Sequence, residues 1–142
     1  PNTVLDVGTG SGVLAIAAIK PGAQRAIGTE IDVQSVAVAN ENARKNNVAN
    51  RFTTYHTRGA TNHIIQSTAP YDLIFANILA GPLTRLSPKL VPLIKSGGHI
   101  ILSGLLTRQE PLVRAAYTGR GLSLVKRIRR DGWSSLVLQR RS

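Results

Sequence analysis

Cysteine is absent from the chain, which excludes a disulfide framework, a thiolate nucleophile and a cysteine-based zinc site, and suits a reducing compartment; the expected location is cytoplasmic. Three histidines, His56, His63 and His99, are scattered without paired spacing, so no metal site is expected. Apolar runs are short. The longest, such as Val13 to Ile19, fall far below the roughly 20 residues needed to span a bilayer, and the amino end does not resemble a signal peptide, so neither membrane insertion nor export is expected. Acidic residues are scarce too, with seven Asp and Glu against eighteen Lys and Arg.

The remainder is ordinary for a globular fold: 42% apolar and 18% charged residues over a length that fits one domain, 1–142. The net charge of +11 points toward polyanions such as nucleic acid or a ribonucleoprotein surface. Seven of the eighteen basic residues follow Gly119 (Arg120, Lys126, Arg127, Arg129, Arg130, Arg140 and Arg141), with Asp131 the single acid there. This cluster reads either as a contact patch or as a charged strand edge that resists aggregation.

Strand-like and helix-like runs alternate from end to end, the pattern of an α/β domain with a mostly parallel sheet. Strands are expected at Thr3 to Val7, Arg25 to Ile31, Arg51 to Thr57, Tyr71 to Ala76 and His99 to Ser103. A helix over Val13 to Ile19 closes at Pro21-Gly22, and Asp32 is placed to cap the next. Arg58 to Ala69 holds at most a short helix around Ile64 and Ile65. Ser87-Pro88 suggests a helix restart inside the apolar run Leu83 to Ile94, with Gly97-Gly98 ending it. Thr107 to Glu110 reads as a capping box for a helix through Tyr117. Leu122 to Arg129 and Trp133 to Arg140, joined at Asp131-Gly132, form a hairpin.

Asp6-Val7-Gly8-Thr9-Gly10-Ser11-Gly12 lies between a strand and a helix, where a glycine loop lets a ligand approach the backbone and the helix amino terminus. A dinucleotide fingerprint, G-x-G-x-x-G, requires a third glycine where Val13 stands, and no Gly-Lys-Ser/Thr follows to grip a phosphate. An acidic lead suits a ligand with an ammonium group, such as the methionine part of S-adenosylmethionine. Glu30 falls about 20 residues beyond the loop, where a carboxylate accepts hydrogen bonds from ribose hydroxyls. Asn77 ends the fourth strand, so its amide oxygen and a nearby carbonyl can aim an attacking amine at a methyl donor; alternatively it is a turn residue. Asp72 reads as a local stabiliser, and Trp133 as an anchor in the hairpin.

In this order the motifs resemble class I S-adenosylmethionine-dependent methyltransferases. VLDVGTGSGVLAIAA, GTEIDVQSVAVANENARKNNV, YDLIFANILAGPL and SGGHIILSGLL resemble the catalytic domain of the ribosomal protein L11 methyltransferase (PrmA) family. The resemblance implies a Rossmann-like sheet of seven strands, mostly parallel with an antiparallel carboxyl-terminal hairpin strand, and helices on both faces. It also implies methyl transfer from S-adenosylmethionine to lysine side chains or the terminal amine of a large-subunit ribosomal protein. By position, Asp6, Gly8, Thr9, Gly10 and Gly12 would hold the methionine part, Glu30 the ribose and Asn77 the amine and cofactor methyl. Family members also carry an amino-terminal substrate-binding domain and a segment that closes the cofactor site; neither is expected in this chain. Asn77 is followed by Ile78-Leu79-Ala80 and lacks the aromatic wall that suits a nucleobase, which favours a flexible lysine. The readings left beside this one are an RNA or small-molecule methyltransferase, a nicotinamide oxidoreductase and a non-catalytic ribosome- or RNA-binding module.

Overall fold

The computed structural model describes residues 2–58 and 62–141. The strands are β1 (Thr3–Val7), β2 (Arg25–Glu30), β3 (Phe52–His56), β4 (Tyr71–Asn77), β5 (Ile94–Leu106), β6 (Leu122–Arg130) and β7 (Trp133–Arg140), and the central β1 and β2 are buried at consecutive positions because helices cover both faces there. These seven strands form one sheet in the order β3-β2-β1-β4-β5-β7-β6. The pairings from β3 across to β5 are parallel, and β7 runs antiparallel to both β5 and β6. The expected sheet, with its antiparallel hairpin strand, is therefore present.

Helices α1 (Val13–Ile19) and α2 (Val33–Lys45) lie on one face, α3 (His63–Thr68), α4 (Ala80–Leu90) and α5 (Glu110–Thr118) on the other. The larger core joins Leu5, Ile74, Ile100, Leu102, Leu136 and Leu138 of the sheet to Ile65, Leu83, Leu90, Val113 and Tyr117 of the helices. A smaller one packs Ala15, Ile16 and Ile19 against Val4, Ala26 and Phe52. Asp32 caps α2 as expected, accepting from the Gln34 amide at 3.1 Å and the Ser35 hydroxyl at 3.0 Å.

The helix restart at Ser87-Pro88 does not occur: α4 runs through Pro88 to Leu90. Proline lacks the N–H that would reach the Thr84 carbonyl, and the Ser87 hydroxyl donates to that carbonyl instead at 2.9 Å. Nor do Gly97-Gly98 end a helix. A 3-10 turn over Val91–Leu93 leads straight into β5, and both glycines lie inside that strand. Its pairing with β4 is irregular between Ile94 and His99, and Gly97, at φ +81°, accommodates the irregularity.

At the start of α5 the expected capping box is displaced. Gln109 Oε1 accepts from the Leu106 amide at 2.8 Å, Thr107–Gln109 form a 3-10 turn, and Glu110 is taken up elsewhere. Its buried carboxylate receives Arg129 Nε at 3.0 Å and Nη2 at 2.7 Å, with Arg127 Nε 3.8 Å away. Hydrogen bonds from Arg129 hold the Glu110 carboxyl below the ordinary glutamate range. Of the segment Arg58 to Ala69, residues 59–61 lie outside the described residues. Asp72 ties two strands together, accepting from the Asn2 and Thr3 amides at 3.0 Å each while pairing with Lys95 at 3.6 Å.

Candidate active site

The chain leaves β1 and β4 toward opposite sides of the sheet, and a crevice opens beyond the carboxyl ends of such strands. A cavity of about 480 Å³ occupies it, lined by Val7, Gly8, Thr29, Glu30, Ile31, Thr57, Arg58, Asn77, Ile78, Leu79, Pro82, Arg85 and Leu86. Three of the expected site residues, Gly8, Glu30 and Asn77, thus meet around one space. Asp6, Thr9, Gly10 and Gly12 are not part of its lining.

The loop is shaped by glycine. Gly8, Gly10 and Gly12 have φ of +71°, +57° and +84°, a region where side chains are strained. A β-carbon on Gly8 would stand 2.7 Å from Ile78 Cγ2, and one on Gly12 would stand 2.8 Å from Phe52 Cε2. Gly12 therefore performs the close packing that a dinucleotide fold assigns to a glycine one position later, and Val13 is free to remain exposed. The Gly8 and Thr9 amides both donate to the Thr29 carbonyl, at 2.9 and 3.0 Å, which fastens the loop to β2.

Under the loop lies Asp6, 1% exposed. Its Oδ2 accepts from the Thr9 hydroxyl at 2.7 Å, and its Oδ1 is buried without a hydrogen-bond partner. Burial pushes its pKa up to about 6, against the lowering pull of the Thr9 hydroxyl. Gly28, whose role the sequence motif does not disclose, makes this arrangement possible: a β-carbon there would press on Thr54 Oγ1 at 2.8 Å and Thr9 Cγ2 at 2.9 Å.

Glu30 is held by two amides. Oε1 accepts from Gly10 N at 3.2 Å and Oε2 from Asp32 N at 3.0 Å, and each oxygen keeps a second acceptor site for a ligand hydroxyl. His56 Nε2 lies 3.0 Å from the Ile31 carbonyl, a structural tie rather than a free base in the cavity. Asn77 is exposed and its amide makes no hydrogen bond with another described residue. The walls given by Ile31, Leu79, Pro82 and Leu86 are not legible in the sequence, because isolated apolar residues at element ends carry no periodic signal.

Positive φ glycines, an oriented carboxylate and an apolar-walled cavity suit an adenosyl ligand, and the orphaned Asp6 oxygen under the loop suits an ammonium group above it. Among the described residues no cluster of side chains could hold a metal ion, and no helix is long and apolar enough to cross a membrane.

Comparison with known proteins agrees with this geometry. The model of the family "Ribosomal protein L11 methyltransferase (PrmA)" matches residues 1–141. The ribosomal protein L11 methyltransferase of Caulobacter sp. (strain K31) is 50% identical over 137 residues, 96% of this chain and 47% of its own length. That of Rhodopseudomonas palustris (strain BisB5) is 49% identical over 97% of this chain and 47% of its own. The chain thus spans about half the length of these curated relatives. A crystal structure of ribosomal protein L11 methylase from Lactobacillus delbrueckii subsp. bulgaricus superposes with a TM-score of 0.90 at 35% identity, covering 100% of this chain and 71% of the other. The fold alone is shared with an RNA methyltransferase from Salinibacter ruber in complex with S-adenosylhomocysteine, at a TM-score of 0.76 and 20% identity over 99% of this chain and 81% of the other. On the strength of the family match and the Lactobacillus structure, this chain belongs to the ribosomal protein L11 methyltransferase (PrmA) family.

Proposed function

We propose that the chain is the catalytic domain of an enzyme that transfers methyl groups from S-adenosylmethionine to amino groups, on lysine side chains or the terminal amine, of ribosomal protein L11, working in the cytoplasm. The observation that carries this reading is the meeting of Gly8, Glu30 and Asn77 around one cavity at the carboxyl ends of β1, β2 and β4. The family names the substrate class.

When bound, S-adenosylmethionine supplies a methyl group on a positively charged sulfur, open to in-line displacement by an amine. The chain's own residues bind and align. Gly8 and Gly10 admit a ligand close to the backbone, and Asp6 places negative potential beneath an ammonium group. Glu30, pre-oriented by the Gly10 and Asp32 amides, accepts from ribose hydroxyls. Ile31, Leu79, Pro82 and Leu86 line the cavity with apolar surface on which the face of an adenine ring would pack. The Asn77 amide oxygen and the Ile78 carbonyl accept from an incoming N–H and so orient the nitrogen lone pair. Among the described residues no histidine lines the cavity to take a proton, which fits an acceptor amine that arrives already deprotonated.

The test is transfer of labelled methyl from S-adenosylmethionine to purified L11 by the full-length protein and by its Asn77→Ala variant. Transfer that falls steeply in the variant while S-adenosylhomocysteine binding persists supports the reading; unchanged turnover removes Asn77 from the mechanism.

The basic hairpin favours a second contact, with ribosomal RNA. β6 is an edge strand, and Arg127 and Arg129 turn to Glu110 on one face. Lys126 and Arg130 occupy the other face with no acidic partner among the described residues. Neutralising Lys126 and Arg130 together should flatten the salt dependence of RNA binding, because each phosphate contact releases counterions; an unchanged slope and affinity leave β6 as a guarded edge.

A further inference from the structure

β5 pairs evenly with the end of β4 up to Asn77 and Ser103, but not with β7 on its other side. Its pairing with β7 shifts register between Leu102 and Leu105, and inside that irregularity Gly104 adopts φ +82°. A β-carbon on Gly104 would stand 2.9 Å from Asn77 Oδ1 and 3.1 Å from the Ile78 carbonyl oxygen. At Gly97, Gly121 and Gly132 the backbone is also left-handed, yet nothing lies within 4 Å of such a carbon. Backbone conformation is sufficient reason for glycine at those three; at Gly104 a neighbour needs the space.

That neighbour is Asn77, whose orientation no hydrogen bond to a described residue fixes. Its partner across the β4–β5 pairing is Ser103, and the Ser103 hydroxyl is engaged with Ser135 at 3.0 Å. The surface of β5 is therefore what the Asn77 amide rests against, and Gly104 shapes that surface.

We propose that Gly104 is a positioning residue for methyl transfer: the space it leaves lets the Asn77 amide lie against β5 beside the Ile78 carbonyl, so that two acceptor oxygens stay together at the cavity's edge. The proposal rests on the reading of Asn77 as the group that meets the acceptor amine. A β-carbon would be accommodated unequally by its two neighbours. Asn77 Oδ1 ends a rotatable side chain and swings away at little cost, whereas the Ile78 oxygen belongs to the backbone and gives only a few tenths of an ångström. The fold and the cofactor cavity survive such a change, and the alignment of the acceptor does not.

The experiment compares Gly104→Ala and Gly104→Asn in the full-length protein, with Gly121→Ala as the control for left-handed strain without a neighbour. Asparagine tolerates positive φ better than alanine while bringing the same β-carbon. The readouts are S-adenosylhomocysteine affinity by calorimetry and kcat and KM for L11, repeated in an Asn77→Ala background. Expected are affinities within about twofold of wild type, little change in KM and a kcat lower by about 10- to 100-fold in both Gly104 variants. Once Asn77 is alanine, Gly104→Ala should lower kcat little further, because both changes remove one interaction.

Full kcat in either Gly104 variant overturns the proposal. So do losses that multiply in the double variant, an equal loss from Gly121→Ala, or loss of S-adenosylhomocysteine binding in both Gly104 variants, which makes Gly104 a folding residue. If wild-type protein moves no methyl to L11, the underlying reading of function fails and the proposal with it, an outcome visible before any Gly104 variant is measured.

Discussion

Replacing Asp6 by asparagine should change how the stability of the domain depends on pH. The Asp6 carboxyl is 1% exposed, one oxygen lacks a partner, and burial raises its pKa from 3.8 to about 6. Between those values the folded chain holds a proton that the unfolded chain has released, so stability falls as pH rises through that window and levels off above it. A rise of this size corresponds to roughly 3 kcal/mol, because each tenfold change in a proton equilibrium is worth about 1.36 kcal/mol. Asparagine keeps an oxygen for the Thr9 hydroxyl and carries no charge. Urea unfolding of both chains should be followed from about pH 4, close to the unfolded pKa, to about pH 7.5, above the folded one. The advantage of Asp6→Asn over wild type should grow by roughly 2 kcal/mol between about pH 4, where the unfolded carboxyl is already more than half ionised, and about pH 7, and then stay nearly constant. Other titrating groups, Glu110 with its depressed pKa included, are common to both chains and cancel. Parallel pH profiles would refute the reasoning, because they would mean that Asp6 ionises in the folded chain as it does in the unfolded one.

Glu30→Ala should weaken S-adenosylhomocysteine binding by about tenfold to a hundredfold, the range for losing hydrogen bonds to a charged group; calorimetry of the variant checks this, and wild-type affinity would remove Glu30 from the site. The rate of methyl transfer to L11 should rise above neutral pH, because a protonated lysine has no lone pair and the ordinary lysine pKa is about 10.4. A rate that is flat into alkaline conditions, with chemistry shown to be limiting, argues against an amine acceptor.

What the chain discloses without its structure is local. Gly8, Gly10 and Gly12 can be placed because a strand-to-helix loop needs left-handed residues at those positions, and all three have positive φ. Asp32 and the Asp131-Gly132 turn are equally legible, since a cap and a tight turn involve near neighbours. Pro88 misleads because its missing N–H is offset by a Ser87 hydroxyl one residue away, an exchange that propensity does not register. The ends of β5 are hidden because glycines normally interrupt strands, and here Gly97 and Gly104 serve irregular pairing with β4 and β7. Glu110 has the look of a capping residue, but Arg129 reaches it from another strand. The roles of Gly28 and Gly104 are not legible from their motifs: each is small for the sake of a side chain distant in sequence, Thr9 in one case and Asn77 in the other.

Whether the cavity between Gly8, Glu30 and Asn77 takes an adenosyl-methionine is tested most directly by calorimetric titration of the chain with S-adenosylhomocysteine and, separately, with a nicotinamide dinucleotide. Saturable heat with S-adenosylhomocysteine, lost in Glu30→Ala, and none with the dinucleotide is the expected result; heat with the dinucleotide and none with S-adenosylhomocysteine would contradict it.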